Sequence, residues 1–292
     1  MDVVIVFNGL GNQMSQYALY LAKRHIDLRT SWLYYPDKVI DQHNGYELEK
    51  VFGIKCKNTP KSLLGKIYTS LRYSKNGGGK KRLAVKNILR CFGIAEYREQ
   101  SSMFEQEAMK PSANMRFIWG GWHSEKYFEE VKAEVREAFT FDVKKLDQDS
   151  SEILTSIQSS ESVSVHVRRG DYVKHSAFDG ICTMNYYEEA MKYFEEKVSE
   201  PQYFIFSDDT QWAKEHFDKP NMRVVSGHSG NEAWKDMFLM SQCKHNINAN
   251  STFSWWAAWL NPNQEKMVIV PSRFNNLNKP HEIYPDSWIK LQ

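Results

Sequence analysis

"VVIVFNGLGNQMSQYALYLAKR", residues 3–24, runs from β-branched apolar residues through Gly9-Leu10-Gly11 into a segment with apolar residues at helical spacing. A buried strand, a tight glycine turn and a helix in that order are the opening unit of a parallel α/β sheet. The turn fails as a dinucleotide fingerprint. That motif needs a third glycine three residues after Gly11, where this chain has Met14, and the long polar pair Asn12-Gln13 fills the gap. What remains is a strand, a tight glycine turn and a helix, read either as a bare bend or, with the motifs further along the chain, as a loop in which Asn12 and the first free N–H groups of the helix face a ligand cleft.

The alternation continues along the chain. Apolar bursts at residues 3–7, 32–35 and 116–119 read as strands, and a helix after Ser124 sets Tyr127, Phe128, Val131, Val135 and Phe139 on one face. The second half offers strands at 163–167, 203–206, 223–225, 245–248 and 267–270, with helices near 185–197, 209–217, 232–242 and 253–260. This is the pattern of a doubly wound sheet, whose ligands bind beyond the carboxyl ends of the strands. The polar stretch "DVKKLDQDSS", residues 142–151, reads as a linker. The expectation is two Rossmann-like α/β domains, residues 1–145 and 146–292, facing each other across a cleft.

Composition is that of an ordinary globular protein, with 41% hydrophobic and 25% charged residues and a net charge of +2. Nine Trp suit ring-shaped ligands and apolar cores alike. Cys56, Cys91, Cys182 and Cys243 are too scattered for a disulfide framework or a zinc site, which fits a reducing compartment. The first strand begins at Val3, which leaves no room for a secretion signal, and no apolar run of about 18 residues occurs. A cytoplasmic protein is expected. Of the 38 basic residues, eleven fall within residues 55–95, a segment without Asp or Glu and with apolar residues at helical intervals. Two basic amphipathic helices could touch an anionic membrane surface there, or form a pair of solvated surface helices. No nucleic-acid partner is expected.

Four later stretches carry candidate chemistry. "SVSVHVRRGDYV", residues 162–173, ends a strand with Arg168 and Arg169 beside Asp171. Two guanidinium groups leaving one strand end can converge on a diphosphate with planar, bidentate geometry, or form a surface ion-pair cluster. "QYFIFSDD", residues 202–209, ends a strand in Ser207, Asp208 and Asp209, which can meet a sugar hydroxyl or an arginine, or cap the next helix. In "INANSTFSWWAAWL", residues 247–260, any of Asn250, Ser251 and Thr252 can cap a helix that carries Ser254 and three Trp. Its N-terminus is an anion site by construction, and the Trp residues are expected to pack between domains. In "EAWKDMFLMSQ", residues 232–242, Asp236 is the lone carboxylate of the helix's middle turns, able to accept from the paired N–H donors of a guanine edge or simply to face solvent.

Taken in order, "GLGNQMSQYALY", "HVRRGDYV", "GICTMNYYEEAM", "FSDD" and "NSTFSWWAAWL" resemble the alpha-1,2-fucosyltransferases of bacterial type. The HxRRxD element is shared with the alpha-1,6- and protein O-fucosyltransferases. The resemblance implies a GT-B fold, GDP-fucose as donor, a terminal beta-galactoside as acceptor at its 2-hydroxyl, inversion at the anomeric carbon, and no metal or other cofactor. Matched position by position, Arg168 and Arg169 would hold the β-phosphate of the leaving GDP, with His166 and Asp171 shaping their loop. Asp208, Asp236, Thr252 and Ser254 would line the donor site, and Gly11 and Asn12 would approach it from the first domain. The acceptor base would come from the loop after HxRRxD, where His175 and Asp179 are the candidates. Asp147-Gln148-Asp149 spells the DxD of metal-dependent transferases but follows no strand, so no metal is expected from it. Animal members carry an N-terminal membrane anchor. A chain opening on a strand suggests a bacterial enzyme acting from the cytosol on a surface-glycan precursor. The competing readings are a non-catalytic glycan or nucleotide-sugar binding module and a fucosyltransferase of different linkage.

Overall fold

The computed structural model describes residues 1–27, 31–35, 44–56, 87, 89–170, 172–277 and 279–292. The chain divides into two compact units, Met1–Thr140 and Phe141–Gln292.

The first unit contains β1 (Asp2–Ile5), α1 (Leu10–Ile26), β2 (Ser31–Tyr34), α2 (Glu47–Phe52), β3 (Ile94–Arg98), α3 (Gln106–Met109), β4 (Met115–Trp119) and α4 (Lys132–Ala138). Its strands pair in parallel in the order β2-β1-β4-β3. Strand β1 is fully buried, as its unbroken apolar run demands. The sequence pattern passes over β3 because it is an edge strand in which only Ile94 is buried and Glu96 and Arg98 interrupt the apolar signal. After Ser124 the chain forms a 3-10 segment, Glu125–Val131, broken at Phe128, before α4 begins. The single amphipathic helix is therefore two pieces, yet Tyr127, Phe128, Val131, Val135 and Phe139 are all buried as its apolar face requires.

At the amino end of this sheet lies a buried ionic cluster. Arg116, paired in register with Asp2 across β1 and β4, donates from Nε and Nη2 to the two Asp2 carboxylate oxygens, both at 2.9 Å. Lys23 of α1 reaches the same carboxylate at 2.8 Å and also donates to the Ala108 carbonyl at the end of α3. Burial pulls the Lys23 ammonium below its usual range, opposed by Asp2.

The second unit contains α5 (Gln148–Gln158), β5 (Ser162–Val167), α6 (Met184–Lys197), β6 (Gln202–Ser207), α7 (Thr210–His216), β7 (Met222–Val225), α8 (Trp234–Gln242), β8 (His245–Ile247), α9 (Thr252–Leu260), β9 (Val268–Pro271) and β10 (Ile289–Leu291). All six strands are parallel, in the order β10-β9-β8-β5-β6-β7. With β5 counted as the first strand, this is the doubly wound order 3-2-1-4-5-6, and its direction reverses between β5 and β8. Beyond the carboxyl ends of those two strands is where such a sheet binds its ligand.

Strand β5 has two different faces. Val163, Val165 and Val167 pack on Tyr186, Tyr187, Ala190 and Phe194 of α6. The other face is a polar ladder. Ser162 Oγ accepts from the Lys244 backbone N–H, and one step on Asn246 Nδ2 donates to Ser164 Oγ at 2.7 Å. The next positions are His166 and Asn248, where His166 Nδ1 and both Asn248 amide atoms are buried without partners among the described residues. Buried polar groups normally find partners. Bonding capacity is thus left over at the carboxyl end of the ladder.

One expectation changes here. The stretch 142–151 is not a free linker: Asp147 accepts from the Ser150 N–H as the N-cap of α5. The second unit starts before it, at Phe141, which stacks on Trp234 and meets Phe238 edge-on. Within the second unit the Trp residues of α9 pack together. Trp255, Trp256 and Trp259 are buried against one another, and Trp255 Nε1 donates to the Ile283 carbonyl.

Candidate active site at the carboxyl ends of the second sheet

The exits of β5 and β6 interlock. Arg168 Nη1 contacts Asp208 Oδ2 at 2.7 Å, and the Arg169 backbone N–H donates to Asp208 Oδ1 at 2.9 Å. The Arg169 side chain goes elsewhere: Nε donates to Asp209 Oδ2 at 3.2 Å and its guanidinium lies 4.0 Å over the Trp212 ring of α7. Arg168 lies over the Tyr172 ring instead. Each arginine is therefore steadied by its own aspartate, and Arg169 is additionally bound to a helix. Asp209 also caps α7 through the Trp212 N–H, so it serves both as a helix cap and as the Arg169 partner, while Asp208 holds Arg168 and the Arg169 N–H. Asp171, expected to shape the arginine loop, lies outside the described residues.

Gly170 explains its own place in the motif. A Cβ there would sit 2.5 Å from Asp208 Oδ2, the atom that Arg168 holds. His166 is buried and kept neutral, its imidazole pushed down to about 3 by burial and then by Arg168. The Tyr187 hydroxyl fixes the His166 carbonyl at 3.1 Å.

At the exit of β8, Ser251 is the N-cap of α9, accepting from the Phe253 N–H. Asn250 is taken up by Phe274, Cys182 and Tyr172. Of the two hydroxyls expected to line the donor site, Thr252 is partly exposed in the first turn, whereas Ser254 is fully buried and donates to the Ala249 and Ser251 carbonyls. The structure thus moves Ser254 from an anion-facing role into the helix's own bonding. His175 and Asp179 stand exposed on the loop after β5, which Asn276 ties down through the Ser176 and Asp179 carbonyls.

Asp236 differs from its sequence reading. Helix α8 begins at Trp234, so Asp236 sits in the first turn, not the middle, and its carboxylate is largely buried. Oδ1 lies 2.6 Å from His228 Nδ1, and His228 Nε2 lies 2.9 Å from Ser150 Oγ. Burial pushes the Asp236 carboxyl up against the opposing pull of His228, while Asp236 raises the His228 imidazole. His228, Ser150 and Asn248 are candidate site residues that the sequence reading passes over.

The corresponding strand exits of the first unit form a second cluster. Gly9 opens α1 without a side-chain cap, and Asn8 enters the turn at a φ of 64°. The fully buried Gln13 donates to the Asn8 and Gly45 carbonyls, and Gln16 links the Phe7 N–H to the Gly120 carbonyl. Gly11 is buried, while Asn12 is partly exposed and its side chain makes no hydrogen bond among the described residues. Beside this turn, the Glu99 carboxylate accepts from the Gly121 and Trp122 N–H groups and holds Trp122 at a φ of 58°. Burial raises the Glu99 carboxyl to about 7, against those two backbone bonds. A carboxyl so raised favours the fold below about 4.5 and loses that contribution as the pH climbs to about 7. Glu99→Gln is expected to flatten this part of the stability profile by on the order of 2 kcal/mol, read as the change in urea midpoint between pH 5 and 8.

Among the described residues no group of three His, Cys, Asp or Glu side chains is placed to hold a metal ion. No helix among them is long and apolar enough to cross a membrane. Within residues 55–95 only 55, 56, 87 and 89–95 are described, so the expected membrane-contact segment lies almost wholly outside the described residues.

Comparison with known proteins converges on one family. The profile of Glycosyl transferase family 11 matches residues 48–292. The chain belongs to that family. An Escherichia coli alpha-1,2-colitosyltransferase is 31% identical over the whole of both chains. The O-antigen biosynthesis glycosyltransferase WbnK of Escherichia coli is 43% identical over 138 residues, 46% of each chain, so the match spans about half of that relative. Among solved structures, the NodZ alpha-1,6-fucosyltransferase soaked with GDP-fucose superposes with a TM-score of 0.54 at 15% identity, over 89% of this chain and 92% of the other. At that identity the likeness is one of fold. It agrees with the α/β, GT-B class implied by the sequence motifs and with the two parallel sheets described above. This family 11 glycosyltransferase therefore carries its arginine pair at the exit of β5, one of the two strands that flank the switch point of a doubly wound sheet.

Proposed function

We propose that this protein transfers L-fucose from GDP-β-L-fucose to the 2-hydroxyl of a terminal beta-galactoside, with inversion. The observation that carries the reading is Arg168 at the β5 exit, steadied by Asp208 and aimed from the strand end where such sheets bind nucleotides. Departure of GDP leaves negative charge on the β-phosphate, and a pre-positioned guanidinium stabilises that charge as it develops. In this reading Arg168 supplies the neutralisation that a divalent cation supplies elsewhere. The helix α9 N-terminus with Thr252 adds N–H and hydroxyl donors. Deprotonation of the acceptor is assigned to His175 or Asp179, and with a well-stabilised leaving group it can come late.

A second reading is favoured by the full-length relative. Colitose is L-fucose without its 3-hydroxyl, so an alpha-1,2-colitosyltransferase at 31% identity makes GDP-colitose the alternative donor. The test is a transfer assay in EDTA with GDP-fucose and GDP-colitose against a panel of beta-galactosides. Released GDP is the rate readout and NMR defines the linkage. An alpha-1,2-fucosylated product supports the proposal, preference for GDP-colitose selects the alternative, and release of no GDP from any pair overturns both.

Gly170→Ala is expected to reduce transfer by on the order of a hundredfold without unfolding the protein, because the new methyl displaces Asp208 and with it Arg168. Initial rates alongside a thermal melt check this, and Gly170→Ala with near-normal rates would show that Asp208 does not position Arg168.

A further inference from the structure

Ser150, His228 and Asp236 come from three places in the second unit: the first turn of α5, the loop after β7 and the first turn of α8. They are nonetheless in line. Ser150 Oγ is 2.9 Å from His228 Nε2, and His228 Nδ1 is 2.6 Å from Asp236 Oδ1. The order matches a nucleophile triad, but Ser150 has no exposed surface, so no substrate can reach its oxygen. The chain of bonds runs the other way. In the neutral ring the serine hydroxyl donates to Nε2, which leaves the proton on Nδ1 aimed at Asp236 Oδ1; in the imidazolium Nε2–H donates to the hydroxyl and Nδ1–H keeps the same aim. Ser150 is itself pinned, since its N–H donates to Asp147 Oδ1, whose partner oxygen is held by Lys235 at 2.6 Å.

The consequence concerns Asp236 Oδ2. It makes no hydrogen bond among the described residues, and the side chain keeps 16% of its surface exposed. A buried carboxylate with one oxygen fixed from behind and the other open is an oriented acceptor. Guanine presents N1–H and the 2-amino group side by side on one edge. A carboxylate can accept from both by using Oδ2 and the second lone pair of Oδ1. Adenine presents no such pair, and hypoxanthine lacks the 2-amino donor.

We propose that Ser150 and His228 are positioning residues that hold the Asp236 carboxylate as the reader of the donor's guanine edge. Nucleotide selectivity is then set by residues that never touch the nucleotide. This rests on the GDP-sugar reading above.

The experiment measures binding of GDP, IDP and ADP by calorimetry to the full chain and to its Ser150→Ala, His228→Leu and His228→Asn variants. The unmodified protein is expected to prefer GDP to IDP by about tenfold or more, the scale of one hydrogen bond to a charged group. His228→Leu is expected to bring that ratio to within about twofold, Ser150→Ala to lower it, and His228→Asn, which restores an N–H donor near Oδ1, to recover part of it. If His228→Leu fails to fold, Ser150→Ala, which removes one buried hydroxyl, decides the matter. A GDP-to-IDP ratio unchanged in the folded variants overturns this inference alone. Absence of GDP binding by the unmodified protein overturns the donor reading, and this inference with it.

Discussion

Replacement of Arg168 by Ala is expected to lower kcat/KM for transfer by on the order of a thousandfold or more, about 4 kcal/mol of transition-state stabilisation, while the chain stays folded. The two halves of that expectation have different causes. The catalytic loss follows from removing a charged donor that acts only as the diphosphate departs, so it should fall mainly on kcat. Stability should hold because the Arg168 and Asp208 side chains are 28% and 26% exposed, and ion pairs at such positions contribute little. Asp208 also keeps its bond from the Arg169 N–H. Arg168→Lys should recover only a small part of the rate, since an ammonium lacks the planar fork. Arg169→Ala is the contrasting variant. Its guanidinium is bound to Asp209 and stacked on Trp212, so its loss should cost closer to tenfold, through movement of the loop. Equal losses for the two alanine variants would contradict this division of labour, and near-normal transfer by Arg168→Ala would remove the assigned role. Initial-rate kinetics with a melting curve for each variant make the comparison.

The difference between Arg168 and Arg169 shows where the sequence stops being legible. Adjacent arginines at a strand end point to an anion site, and the strand, its exit and the ligand-binding edge all follow from a β-branched run ended by Gly170 and its neighbours. Which arginine is committed to which partner depends on Asp208, Asp209 and Trp212, some 40 residues further on. That information exists only once β5 and β6 lie in register. His228 is a stronger case. A lone histidine in a polar loop carries no local signal, and its partner Ser150 is 78 residues away on a helix that the polar stretch 142–151 conceals. The central strands and the edge strands β2 and β7 are readable from their apolar runs, whereas β3 and β10 are not, because Glu96 and Arg98 in one and Lys290 in the other interrupt an already short apolar signal. The same physics explains Ser254. A hydroxyl near a helix start reads as a ligand donor or a cap from sequence alone, and only its burial decides.

Asp2→Ala should have the largest effect on stability, lowering the first unit's unfolding free energy by roughly 3–5 kcal/mol. The carboxylate is 1% exposed and is the shared counter-ion of Lys23 and Arg116, themselves 3% and 11% exposed. Its removal leaves two buried cations facing each other, and neither can reach water without disturbing α1 or β4. Lys23 can escape by losing its proton, a tendency burial already favours, so the Asp2→Ala deficit should shrink as the pH rises towards 10. Asp2→Asn keeps an acceptor for Arg116 but not the charge, and should lie between the two. The cluster occupies the amino end of the first sheet, whereas the loops around Gly11, Asn12 and Gly121 leave from its carboxyl end. Variants of Asp2 should therefore lose stability and yield while transfer per folded molecule stays near normal. Urea unfolding followed at pH 7 and pH 9.5, with active-site concentration measured by donor binding, separates the two quantities. A fall in transfer per folded molecule as large as the fall in stability would mean that the amino-end cluster shapes the carboxyl-end loops, and that the two ends of this sheet are mechanically coupled.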